Sequence, residues 1–155
     1  MPGTSSSATD DCVLTIRRIF DAPREQVWSA WIAFNHAKHF DGPLGHPMKS
    51  MRSDLRAGGK WRNVMRYEGK ELPQDGVYRE VKAPEVLSFT FAWEQPDGTR
   101  GHETLVTLTF EEIARGKTQL TLQQGVFETT QSRDGHRSGW NRALDAFADF
   151  LSQHQ

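Results

Sequence analysis

After residue 47 the sequence is punctuated every few residues by turn-forming groups, until at residue 135 its apolar spacing changes from every second residue to threes and fours. Ala57-Gly58-Gly59, Glu68-Gly69-Lys70, Ala83-Pro84-Glu85 and Gln95-Pro96-Asp97-Gly98 are four of the breaks, and a loop containing Gly116 is the last. The segments between them, 48–55, 60–67, 76–81, 86–93, 103–111 and 117–124, read as strands. Consecutive short strands joined by tight turns form an antiparallel meander. Such a sheet buries one face and needs something to cover it. In residues 135–153, Trp140, Ala143, Leu144, Phe147, Phe150 and Leu151 recur at helical spacing. That amphipathic helix is the natural cover.

The strand faces follow from alternation. Trp61, Asn63, Met65 and Tyr67 share one side of 60–67, and Leu87, Phe89, Phe91 and Trp93 one side of 86–93. Val106, Leu108 and Phe110 align likewise, with Leu120 and Leu122 as their neighbours. The segment 76–81 is ambiguous: Tyr78 and Glu80 share one side, Val77 and Val81 the other.

Ahead of the meander, residues 12–20 alternate as a further strand, with Leu14 and Ile16 on one side and Val13, Thr15, Arg17 and Ile19 on the other. Pro23 then opens a helix over 24–31, with Asp21 placed to cap it and Val27, Trp28 and Trp31 on one face. A second short helix is expected over 34–40, stopped by Asp41-Gly42-Pro43. Residues 1–11 are small and polar and read as a disordered leader, so 12–155 form one domain.

The 155 residues carry a net charge of −1 with acids and bases interspersed, against an extended nucleic-acid footprint. No apolar run is long enough to span a bilayer. One cysteine, Cys12, permits no internal disulfide and makes the cytoplasm the expected location.

Several short motifs occur in a telling order. Ala22-Pro23-Arg24-Glu25, Val27-Trp28 and Ala30-Trp31 are followed by Leu55-Arg56-Ala57-Gly58-Gly59-Lys60-Trp61. Then come Gly76-Val77-Tyr78-Arg79-Glu80-Val81, Leu87-Ser88-Phe89-Thr90-Phe91, Val106-Thr107-Leu108-Thr109-Phe110 and Gly139-Trp140. Together they resemble the heat-shock-protein-90 ATPase activator homology family of the START-like (SRPBCC) superfamily, over nearly the whole chain. One departure is His39-Phe40-Asp41-Gly42-Pro43, where family members often carry a tryptophan pair before Gly-Pro.

The resemblance implies an α+β helix-grip fold: a curved antiparallel sheet, two short helices, and a long C-terminal helix over one face. It also implies a cavity between sheet and helix that takes a small hydrophobic molecule. Trp61, Met65, Phe89, Phe91 and Trp93 would then face Trp140, Leu144 and Phe147, with Asn63 and Tyr67 as polar groups and Phe40 at the rim. The same residues also suit a solid core. Enzymes acting on polyketide-like or aromatic substrates occur in the superfamily, and Glu80 or Glu128 would supply the acid or base. A chaperone-interaction role is a third reading, and a homodimer is compatible with all three.

No catalytic set stands out from spacing. Gly-x-Ser-x-Gly and phosphate-cradling loops are absent. His36 and His39 could share a helical face, but nothing nearby completes a metal shell. No cofactor is expected.

Overall fold

In a computed structural model the chain is described over residues 11–36 and 48–153. The order is β1 (Leu14–Phe20), α1 (Arg24–His36), β2 (Met48–Ser53), β3 (Lys60–Tyr67), β4 (Lys70–Lys82), β5 (Val86–Trp93), β6 (Thr104–Ala114), β7 (Lys117–Gly125) and α2 (Thr130–Gln153). Among the described residues seven strands make one sheet in the order β1-β7-β6-β5-β4-β3-β2, with antiparallel pairs throughout. Strands β2 to β7 are a meander, and β1 returns beside β7. Register shifts interrupt the β2/β3, β4/β5 and β6/β7 pairs. Each extra residue bends its strand, and the sheet curves. This is the expected helix-grip arrangement.

Helix α1 runs five residues beyond the expected 24–31, so Phe34–His36 complete it rather than starting a second helix. The rest of that expected helix, residues 37–40, lies outside the described residues, as do residues 1–10. At the start of α1 the Pro23 carbonyl accepts from the Gln26 and Val27 amides, both at 3.0 Å. The free Arg24 amide donates to Glu112 Oε1 at 3.2 Å, so a carboxylate from β6 caps the helix. Asp21 meanwhile takes the Lys117 ammonium at 2.6 Å.

Helix α2 starts at Thr130, earlier than the apolar spacing implied. Thr129 is its cap: the hydroxyl accepts from the Ser132 amide at 3.0 Å. Arg18 on β1 then ties the helix down, bonding Asn141 Oδ1 at 3.1 Å and Asp145 at 2.9 Å.

The main core lies between the helices and strands β1, β6 and β7. Val106, Leu108, Phe110, Leu120 and Leu122 are all at most 1 % exposed. Phe147 of α2 is surrounded by the rings of Phe20, Trp31 and Phe34, with centroids 5.1–5.5 Å away. Trp28 meets Phe110 edge-on at 5.2 Å. Among the described residues no helix is long and apolar enough to cross a membrane.

Candidate functional site

A further patch of aromatic residues lies on β3, β4 and β5, and its buried members Trp61, Tyr78 and Phe91 are continuous with the core. Strand β3 brings Trp61 directly opposite Gly76 of β4. A methyl group on Gly76 would stand 1.7 Å from the Thr90 carbonyl oxygen and 2.6 Å from Trp61 Nε1. Glycine there lets the indole lie across β4 and donate to the Thr90 carbonyl at 3.1 Å. Trp61 in turn packs on Phe89 and Phe91, each with ring centroids 5.6 Å away.

Tyr78 resolves the ambiguity of β4. The register shifts between Tyr78 and Glu80. Tyr78 consequently points inward and is buried, while Arg79 and Glu80 are both exposed. The Tyr78 hydroxyl and the Ser53 hydroxyl lie 2.6 Å apart. Burial raises the Tyr78 pKa above the ordinary tyrosine value, against a smaller lowering by the Ser53 bond.

These side chains surround a cavity of about 70 Å³. Its buried walls are Trp31 of α1, Trp61, Gln74, Tyr78, Leu87, Phe91 and Trp140 of α2. Its half-buried rim is Ile32, Asn35, Ser53, Leu55, Asn63 and Phe89. Among the described residues, every one that lines it is uncharged at neutral pH, and none of them bears a carboxylate, imidazole or thiol. The space suffices for several small groups, since a single water needs about 10–15 Å³.

Two glutamines in this half of the molecule are each 1 % exposed. Gln124 on β7 is fully used: its Oε1 accepts from Trp140 Nε1 at 2.8 Å, and its Nε2 donates to Thr104 Oγ1 at 2.9 Å. Gln74 lines the cavity, and neither atom of its amide finds a partner. Leaving a buried polar group unpaired costs about 1–3 kcal/mol.

A shallower hollow lies on the other side of Phe91, with a volume of about 360 Å³. Trp93, Phe127, His102, Glu128 and His136 line it. Trp93 Nε1 donates to His136 Nε2 at 2.9 Å. Indole nitrogen is only a donor, so Nε2 is unprotonated and Nδ1–H donates to the Ser132 carbonyl at 2.9 Å. The imidazole is therefore neutral, and burial lowers its pKa against a smaller opposing contribution from the Ser132 bond.

The expected site residues are thus distributed. Trp61, Asn63, Phe89, Phe91 and Trp140 are brought together around the cavity. Met65 is fully buried but away from the lining, and Trp93 belongs to the neighbouring hollow. Leu144 and Phe147 are fully buried in the main core, where α1 fills the space beneath them. Phe40, His39 and His46 lie outside the described residues, and so do the side chains of His36 and Tyr67. Glu80 is exposed and lies outside the cavity, so it is not placed to act there as an acid or base. Glu128 is exposed at the edge of the second hollow.

Sequence reasoning missed Trp31, Gln74, Tyr78 and Leu87 as cavity walls. For Leu87 the signal existed, because it alternates with Phe89 and Phe91. For Gln74 it was masked by Pro73, which reads as a breaker yet sits inside β4 opposite Val64. Its carbonyl accepts from the Glu94 amide at 2.9 Å, and a proline that only has to accept is tolerated in a strand.

No curated protein matches the sequence. Solved structures do. The AHSA1 protein of Silicibacter pomeroyi is 24% identical, with a TM-score of 0.72 over 92% of this chain and 99% of that one. A protein of Nitrosomonas europaea is 21% identical, with a TM-score of 0.72 over 93% and 96%. One from Arthrobacter aurescens is 18% identical, with a TM-score of 0.73 over 94% and 88%. At these identities the likeness establishes the shared fold. The family model described as "Activator of Hsp90 ATPase homolog 1-like protein" matches residues 21–152. That span runs from just before the first helix to the last turn of the final one, and the chain belongs to this family.

Proposed function

We propose that the protein binds a small, largely apolar, uncharged molecule in the cavity between α1, α2 and strands β3 to β5. The observation that carries this reading is the lining itself: aromatic and aliphatic walls, a few neutral polar groups, and, among the described residues, no charge. Small-molecule sites have this composition. Binding then derives mainly from apolar surface removed from water, at about 25 cal/mol per Å² before the costs of ordering.

The cavity is small beside the apolar cavity of about 150 Å³ known to hold benzene. A ring-sized ligand therefore enters with outward movement of the half-buried rim, Phe89 and Leu55 included. Binding is favoured over turnover because, among the described residues, the lining offers no carboxylate, imidazole or thiol to move a proton.

The test is an NMR titration with toluene, following the indole N–H signals of Trp61 and Trp140. Both signals are expected to shift saturably while the indole signal of Trp28, in the main core, stays fixed. A folded protein whose Trp61 and Trp140 signals do not move at the solubility limit of toluene would overturn the proposal.

A further inference from the structure

We infer that Gln74 receives the head group of the ligand, and that this head group is an uncharged amide or lactam, offering an N–H and a C=O side by side. The inference rests on the binding function proposed above and names the chemistry it selects.

Gln74 is held where it is from both sides. Its strand is flanked by β3 and β5, and its cross-strand neighbours are Asn63 and Trp93. It is 1 % exposed, lines the cavity, and has neither amide atom bonded to the protein. The buried amide of Gln124, by contrast, is paired at both ends, by Trp140 and Thr104. The Gln74 amide therefore completes its bonding with whatever occupies the cavity.

The chemistry of that occupant follows from geometry and charge. A side-chain amide presents one donor and one acceptor in a plane about as far apart as those of a second amide. A primary amide or a lactam, with N–H and C=O on the same side, satisfies both atoms in one contact. A ketone or ether satisfies the donor alone and leaves the acceptor unpaired, and such a mismatch is what polar sites discriminate against most strongly. A carboxylate or ammonium has no counter-charge among the described lining residues, so burying one is unfavourable.

The experiment compares 2-pyridone, a planar ring carrying adjacent N–H and C=O, with toluene, a ring of similar size carrying neither. Both dissociation constants are measured by NMR on the parent protein, on Gln74→Leu, and on Gln74→Met as a second, unbranched replacement. The expected result is that the ratio of the 2-pyridone to the toluene dissociation constant rises tenfold or more in both variants, toluene binding being retained. Toluene binding with a ratio changed less than twofold would overturn the head-group assignment and leave the apolar cavity standing. Failure of toluene to bind the parent would overturn both. Water at Gln74, undisplaced by 2-pyridone, would leave the amide signals of Gln74 unshifted and also count against the assignment.

Discussion

Trp140 Nε1 donates to Gln124 Oε1 at 2.8 Å across the gap between α2 and β7. The bond continues through Gln124 Nε2 to Thr104 Oγ1 at 2.9 Å. One indole therefore does two things. Its ring closes the cavity, and its N–H anchors the long helix to the sheet.

Replacing Trp140 by Phe keeps most of the ring and removes the donor. Gln124 Oε1 is then buried without a partner. The expected loss is about 1–3 kcal/mol of stability, read by urea denaturation. Trp140→Phe with Gln124→Leu should recover part of that loss, because both partners are then apolar.

Phe147 and Phe89 were equal candidates as ligand contacts in the sequence, and the structure separates them. Phe147→Ala opens a hole among Phe20, Trp31 and Phe34, with an expected cost of about 3–5 kcal/mol in denaturation. Phe89→Ala, at the half-buried rim, should cost less stability but weaken toluene binding by about tenfold, close to 1.4 kcal/mol. The reverse ranking in calorimetry would place the ligand in the main core.

His136 predicts a pH dependence. Its pKa is lowered in the folded protein, chiefly by burial. Below the unfolded value of about 6.5 the unfolded chain binds the extra proton more readily. The contribution of neutral His136 is therefore complete above that pH and is lost as pH falls from it through the lowered folded value. Protonation also turns Nε2 into a donor and breaks the Trp93 bond. Thermal melts between pH 7.5 and 5 should show stability falling with acidification, and His136→Gln should flatten the fall.

Two glycines should respond oppositely to alanine. Gly135 is exposed in the first half of α2, and an added methyl there meets nothing within 4 Å. Gly135→Ala should stabilise by about 0.5–1 kcal/mol. Gly76→Ala drives a methyl into the Thr90 carbonyl and the Trp61 indole, and should cost about 1–3 kcal/mol or more. Paired melts of the two variants check both signs.

The fold was largely legible because its signals are local. Val106, Leu108 and Phe110 alternate, Trp140 through Leu151 follow a helical stripe, and glycine and proline mark the turns between. The site was legible only in part. A stripe identifies which face of α2 is apolar but not what lies opposite each turn. Trp140 meets the cavity, whereas one and two turns further on α1 has filled the space with Trp31 and Phe34. Tyr78 was hidden by the register shift at Glu80, which breaks the alternation that would have placed it. Gln74 was hidden by Pro73. The missing signals all depend on how elements meet, which spacing along one chain does not carry.

The most direct measurement is where a bound toluene sits. Intermolecular nuclear Overhauser contacts from its methyl protons should reach Trp61, Phe91 and Trp140 together. Contacts confined to exposed apolar side chains such as Ile19, Leu105 or Val126, 57%, 44% and 46% exposed, would contradict a ligand-binding cavity in this fold.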